Sequence, residues 1–288
     1  MPNTLIMKLI RDPKKLQQLL RKERARGRSI GFVPTMGALH EGHLSLVRAS
    51  NRENNLTVVS IFVNPVQFGP KEDFSKYPRV LGADRKALTA VKVDYLFCPS
   101  ALAMYPQGFG TFIEMDPGIT NVLCGKFRSG HFRGVATVVM KLLNITGPCR
   151  LYLGAKDYQQ TVVIRRVVRD LDMDVRTRVM PTVREKDGLA MSSRNRYLSP
   201  EARQRALAIS RILRGLKQDL LKKKGTITDL KARAIRDLRK SVDHVQYLEV
   251  VDPETLVSLE KCQRKMVVLT ACFVGKTRLI DNATITFS

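Results

Sequence analysis

Two of the chain's four histidines, His40 and His43, fall inside the run Met36-Gly37-Ala38-Leu39-His40-Glu41-Gly42-His43. The run follows the apolar stretch Ser29-Ile30-Gly31-Phe32-Val33-Pro34, which reads as a short buried strand, and leads into a helical pattern. Imidazoles on such a turn, with backbone N–H groups and the helix dipole beside them, suit an anion such as a phosphate. The spacing Gly37-x-x-x-x-Gly42 resembles a P-loop, but His43-Leu44 stands where a P-loop carries its Lys and hydroxyl residue. A Walker site is thereby excluded. A zincin helix is excluded too, because the histidines are three residues apart rather than four. The competing structural reading is a pair of surface histidines that only cap a helix.

Three further segments carry side chains suited to a polar, anionic substrate. Asn64-Pro65-Val66-Gln67-Phe68-Gly69 follows a second apolar strand, and Gly154-Ala155-Lys156-Asp157-Tyr158-Gln159-Gln160 follows a later one. Met191-Ser192-Ser193-Arg194-Asn195 lies in a polar loop. Each is a weak signal alone. Together they offer two amides, a Lys and an Arg for phosphates, and two hydroxyls.

The elements that must hold these segments alternate. Strands are predicted over 29–34, 57–63, 94–97, 150–153 and 175–179, with helices over 43–51, 83–90, 135–144 and 157–169. That order argues for an α/β fold with a Rossmann-like parallel sheet and ligands at the carboxyl ends of its strands. After Pro181 the pattern changes to two helices, over 200–221 and on to 241, then strands over 247–251, 266–273 and 278–280. We therefore expect a Rossmann-like nucleotide-binding domain over 1–184 and a smaller C-terminal α+β domain over 185–288.

The 288 residues are 44% hydrophobic, enough for a sizeable core. No apolar run reaches the roughly 18 residues of a membrane span, and Met1-Pro2-Asn3-Thr4 does not begin a signal peptide. Cys98, Cys124, Cys149, Cys262 and Cys272 are scattered and read as reduced thiols, so the cytosol is the expected compartment. The net charge of +24 raises the question of a nucleic-acid partner. The excess base is spread along the chain, with nine basic residues to two acids over 8–28 and thirteen to three over 203–240. Aromatics for stacking are only 6% and Trp is absent, so nucleic acid is not expected as the primary partner.

Pro34 to His43, Ser60-Ile61-Phe62-Val63-Asn64-Pro65-Val66-Gln67-Phe68 and Asp187-Gly188-Leu189-Ala190-Met191-Ser192-Ser193-Arg194-Asn195 resemble the pantoate–β-alanine ligase family. The similarity runs from about residue 5 to Arg278-Leu279-Ile280-Asp281-Asn282. The resemblance implies an ATP-dependent condensation of pantoate with β-alanine to pantothenate through pantoyl adenylate, releasing pyrophosphate and AMP. It implies that Met36, Gly37, Ala38, Leu39, His40, Glu41, Gly42 and His43 line ATP, with His43 near the reacting phosphate. Gly154, Ala155, Lys156, Asp157, Val183, Met191, Ser192, Ser193 and Arg194 would complete the nucleotide site. His40, His43, Lys156, Ser192, Ser193 and Arg194 would carry the chemistry, and Gln67 and Gln160 would hold pantoate. Mg²⁺ would arrive on the ATP phosphates rather than in a protein cage, with Asp84 able to reach its shell through water. Arg128 and His131 match a family segment near the phosphates. A homodimer is the family's usual state. The chain departs from the family at Ala155 and Cys124, where an acid is usual. Two rival readings fare worse. A tRNA-charging relative lacks room after Pro181 for an anticodon-reading domain, and its Lys-Met-Ser-Lys-Ser loop reads Met-Ser-Ser-Arg-Asn here. A nucleic-acid binder on a degenerate scaffold would not need the full set of His, Gln, Lys and Arg.

Overall fold

The computed structural model describes residues 7–70 and 72–287. Met1-Pro2-Asn3-Thr4, read above for a leader, and the start of the family resemblance near residue 5 lie outside the described residues. In chain order the main elements are β1 (Lys8–Ile10), α1 (Pro13–Ala25), β2 (Ile30–Thr35), α2 (Glu41–Glu53), β3 (Leu56–Ile61), α3 (Leu81–Ala90), β4 (Tyr95–Phe97), α4 (Ala101–Met104), α5 (Pro117–Thr120), α6 (Cys124–Phe127), α7 (His131–Thr146), β5 (Cys149–Gly154), α8 (Tyr158–Asp170), β6 (Val175–Met180), α9 (Pro200–Leu221), α10 (Ile227–Arg239), β7 (His244–Val251), β8 (Lys265–Val274) and β9 (Thr277–Thr286). The chain forms two compact units. The first comprises 1–115, 128–155 and 163–181, and the second 116–127, 156–162 and 182–288. Two short excursions of the earlier chain thus join the later unit.

The first unit is built on a six-stranded sheet in the order β1-β4-β3-β2-β5-β6, with every described pairing parallel. From β2 the chain steps outward through β3 to β4, then returns across β2 to continue through β5 and β6. The sheet therefore reverses direction between β2 and β5, the place where open α/β sheets leave a crevice at their carboxyl ends. β2 and β3 lie buried along nearly their whole length. This is why Ile30–Thr35 and Leu56–Ile61 read as continuous apolar runs rather than as alternating ones. Val33, Val59, Leu96 and Tyr152 pack with Leu46, Val47 and Ala49 of α2 and Leu88 of α3. α7 is buried over most of its length, from His131 and Phe132 to Leu143 and Thr146. At the edge, β6 alternates half-buried residues with the exposed Arg176 and Arg178. Charged side chains of this kind protect an unpaired strand from aggregation.

The second unit centres on the antiparallel sheet β7-β8-β9. β8 is its middle strand and the most buried, from Met266 to Cys272. Leu213, Leu216 and Leu220 of α9 and Leu230, Ala234 and Leu238 of α10 close its core with Val250, Val268 and Leu279. Helices packed on an antiparallel sheet make this the expected α+β unit.

The structure adds elements that the periodicity does not announce. The basic stretch 8–28 forms β1 and α1, whose Asp12 cap and Pro13 start the helix and whose Leu16 and Leu20 are fully buried. α2 begins at Glu41, two residues earlier than expected. β9 extends over Thr277–Thr286, well beyond the predicted 278–280.

Candidate active site

The loop between β2 and α2 is bent by two consecutive residues with positive φ, Gly37 at 82° and Ala38 at 50°. Thr35 Oγ1 accepts from the Gly37 N–H at 3.2 Å and donates to the Ser60 carbonyl at 2.7 Å, tying the bend to β3. The next two backbone N–H groups, of Ala38 and Leu39, point at one buried carboxylate. Asp84 in the first turn of α3 accepts from Ala38 at 2.9 Å through Oδ2 and from Leu39 at 2.8 Å through Oδ1. Two N–H groups that the sequence alone offers to a bound anion are thus directed at an internal one.

His40 is the N-cap of α2. Its Nδ1 accepts from the Gly42 N–H at 3.2 Å, and His43 Nδ1 accepts from the His40 N–H at 3.4 Å. This is a capping box made by two imidazoles instead of the usual hydroxyl and carboxylate. The rings lie 4.1 Å apart between centroids. The capping interpretation and the anion interpretation turn out to be compatible. An Nδ1 that accepts places the proton of the neutral ring on Nε2, so each ring is set as an Nε2–H donor. Both side chains are half-buried, at the positive end of the α2 dipole.

Gln67 sits in the single 3₁₀ turn Pro65–Gln67 after β3 and is buried. Its Oε1 accepts from Asn64 Nδ2 at 3.2 Å, and its Nε2 donates to Met36 Sδ at 3.0 Å. A thioether is a weak acceptor that a carboxylate or hydroxyl displaces readily. Asn64, 1% exposed, also donates to the Gly134 carbonyl at 3.1 Å and accepts from Tyr105 Oη at 2.8 Å. Burial pushes the Tyr105 hydroxyl well above its ordinary pKa, partly offset by Asn64, so it stays a donor. His131 meets the Gln67 carbonyl through Nδ1 at 2.8 Å and Arg128 through Nε2 at 2.9 Å. Arg128 in turn binds both oxygens of Glu72, at 2.8 and 2.6 Å. His131 and Arg128 therefore support the Gln67 turn. Neither this network nor the two backbone bonds of Asp84 is legible in the sequence, where the resemblance marks Asp84 only for the Mg²⁺ shell and Asn64 only as part of a polar turn. Gly154 and Ala155, also of the first unit, end β5 beside the sheet's reversal.

The remaining predicted site residues belong to the second unit. Lys156 is half-buried, with Nζ 3.7 Å from Asp157 Oδ1, and its carbonyl accepts from Asn282 Nδ2 at 3.0 Å. The neighbouring glutamines divide their work. Gln159, 5% exposed, accepts from the Cys124 N–H and donates to the carbonyls of Ile119 and Val122, each at 2.9 Å. It fastens the 116–127 excursion. Gln160 is half-buried and makes no such bonds among the described residues. Val183 and Met191 are joined by a backbone bond at 3.0 Å, closing a hairpin around Gly188. Arg184 holds that hairpin to Asp281 through two bonds, at 2.8 and 3.0 Å. Ser192 caps the 3₁₀ turn Ser193–Tyr197 by accepting from the Arg194 N–H at 3.3 Å. Met191, Ser192, Ser193 and Arg194 are all half-buried. Cys124, one of the two departures from the family, lies with Sγ 3.0 Å from Tyr247 Oη and 3.2 Å from Arg278 Nη2. The thiol takes up an arginine that an acid at this position would neutralise.

Fold and loops together define an α/β protein whose polar groups gather at the carboxyl ends of its parallel strands, with paired imidazoles at a helix start. Residues 8–284 match the model of the family described as Pantoate-beta-alanine ligase. The chain is 51% identical over 280 residues to the pantothenate synthetase of Pseudothermotoga lettingae, covering 96% of this chain and 98% of the relative. It is 48% identical over 277 residues to that of Thermodesulfovibrio yellowstonii, covering 96% and 99%. Among solved structures, pantothenate synthetase from Thermus thermophilus is similar with a TM-score of 0.91 at 43% identity, covering 96% of this chain and 99% of that one. The pantoate-beta-alanine ligase of Francisella tularensis, solved with beta-gamma ATP and beta-alanine, gives a TM-score of 0.80 at 39% identity, with 96% and 97% covered. The chain belongs to the pantoate-beta-alanine ligase family.

Proposed function

We propose that this chain is an AMP-forming ligase that joins pantoate to β-alanine with ATP as co-substrate. A pantoate carboxylate oxygen attacks the α-phosphorus, the bond to pyrophosphate breaks, and pantoyl adenylate forms. The β-alanine amine then attacks the acyl carbon, AMP leaves, and the amine gives up a proton. No protein nucleophile is needed, so the protein's work is to position the reactants and neutralise charge. The observation that carries this reading is the pair of imidazoles fixed at the head of α2, each accepting a backbone N–H through Nδ1, which sets Nε2 as the protonated nitrogen of the neutral ring. Such donors cost no reorganisation when negative charge grows on the transferring phosphate.

In the first unit, Met36 to His43 with Gly154 and Ala155 take the nucleotide. Gln67 takes pantoate, exchanging its sulfur contact for a substrate oxygen, and lies near β-alanine. In the second unit, Lys156, Ser192, Ser193 and Arg194 meet phosphates, Asp157 meets the ribose, Val183 and Met191 line the nucleotide, and Gln160 holds pantoate. Mg²⁺ belongs to the substrate as its ATP complex. Among the described residues no three His, Cys, Asp or Glu side chains are grouped to hold an ion, and Asp84 spends both oxygens on backbone. A cytoplasmic homodimer completes the reading, and sedimentation checks the assembly. No described helix is long and apolar enough to cross a membrane.

The test is pantoate-dependent exchange of labelled pyrophosphate into ATP, with AMP release requiring β-alanine. A folded preparation that shows no exchange with saturating pantoate and Mg²⁺ would sink the proposal.

A further inference from the structure

We infer that Asp84 is a positioning residue for the adenylation step: its carboxylate braces the loop that presents His40 and His43. The inference rests on the ligase reading for its kinetic consequence, but the brace itself stands on geometry. Asp84 is 3% exposed, and each of its oxygens accepts one N–H, from Ala38 and from Leu39. Successive N–H groups in a bend with positive φ form a small anion-binding concavity. In this loop the concavity is filled from within. The Leu39 N–H immediately precedes the His40 N–H, whose own acceptor is His43 Nδ1. Asp84, the bend and the two imidazoles therefore form one chain of bonds. Gly37 closes the other side. A Cβ there would stand 3.0 Å from Asp84 Oδ2 and 3.0 Å from Ile61 Cγ2, at a φ of 82° that side chains rarely adopt.

An acid near a nucleotide is ordinarily read as a metal ligand. Here the carboxylate is buried, and each of its oxygens already holds one backbone N–H of the loop. Displacing the loop by even about 1 Å would move both Nε2–H donors off the phosphate, a shift that costs on the order of a hundredfold in rate.

The experiment replaces Asp84 by Asn, which keeps the volume but turns an NH₂ toward one of the two N–H groups. Asp84→Asn should lower kcat for pyrophosphate exchange by at least about tenfold, leave KM for pantoate within about twofold, and not recover when Mg²⁺ is raised tenfold. The amides of Ala38 and Leu39 should lose hydrogen-exchange protection in the same variant. Gly37→Ala, which crowds the brace and leaves the carboxylate intact, should give the same split and serves if Asp84→Asn does not fold. Recovery of kcat at high Mg²⁺ would assign Asp84 to the metal and overturn the inference. A kcat within twofold of the parent in either folded variant would overturn it too. If the parent enzyme shows no exchange at all, the ligase reading fails. Slow exchange of the Ala38 and Leu39 amides in the parent then still supports the brace, and fast exchange removes it.

Discussion

His40 and His43 use the same ring atom, Nδ1, on backbone N–H groups, so each side chain that caps the helix also stands at its positive end. Replacing His43 by Ala removes both the cap contact and the imidazole. If the donor matters in the transition state, kcat for exchange should fall about a hundredfold or more. Thermal stability should fall by only about the 1 kcal/mol of a lost cap contact. Steady-state kinetics beside a melting curve separates the two, and an unchanged kcat would reduce His43 to a cap. The adjacent glutamines give a sharper contrast. Gln160→Ala should raise KM for pantoate with little change in kcat, as expected for a group that grips substrate away from the phosphate. Gln159→Ala strips partners from the Cys124 N–H and from the carbonyls of Ile119 and Val122. It should cost at least about 2 kcal/mol of stability, because buried polar groups are left unpaired.

At the scale of elements, α7 approaches the Gln67 turn more closely than any side chain allows. A Cβ on Gly134 would stand 2.5 Å from the Val66 carbonyl oxygen and 2.7 Å from Gln67 Cα. Gly134→Ala should push that turn away, raising KM for pantoate and costing about 1–3 kcal/mol as overpacking does. A pantoate titration with normal affinity would show that the turn tolerates the shift. The elements also differ in how far the sequence reveals them. β2 and β3 are readable because strands buried on both faces are apolar throughout, and the loops after them are readable because His, Gly, Asn and Gln interrupt such runs. α1 is hidden by its charge: Leu16 and Leu20, one turn apart, are diluted by the basic residues around them, although Asp12-Pro13 is a helix-start signal. What Asp84, Asn64 and Gln159 bind is invisible for another reason. Their partners lie 45, 70 and 40 residues away in the chain, and no local periodicity encodes a hydrogen bond of that separation.

For the whole molecule the excess of base is the dominant electrostatic fact. Many acids are already paired, among them Glu53 with Arg150 and Arg178, Asp243 with Arg205, and Asp219 with Lys224 and Arg233. The net +24 is what remains. Exposed pairs contribute at most about 1 kcal/mol each, whereas like-charge repulsion acts over the entire surface. Raising salt from about 0.05 to 0.3 M shortens the screening length from about 14 Å to about 6 Å and should raise the melting temperature. A fall would mean that the ion pairs outweigh the repulsion. Acid acts in the opposite sense. The Arg178 hydrogen bond holds the Glu53 carboxyl below its usual range, and Arg205 and Lys224 do the same for Asp243 and Asp219. Groups with depressed folded-state values stabilise the protein above their unfolded pKa of about 4 and lose that contribution as pH falls through the folded value. The melting temperature should therefore hold between about pH 5 and 7 and drop below about pH 4. A melting temperature that holds to about pH 3 would contradict this.

The excursion at 116–127 also has a consequence in time. Cys124 meets Arg278 across 154 residues of chain. At the usual 5–20 residues per second of synthesis, its thiol waits roughly 8–30 s for that partner to leave the ribosome. Ile119 and Leu123, just before Cys124 in the chain, are likewise buried in the finished protein. The nascent chain thus carries the Cys124 thiol without its Arg278 partner until β9 is made. A cellular oxidant meets the unpartnered thiol most readily during that interval, because the finished fold buries Cys124.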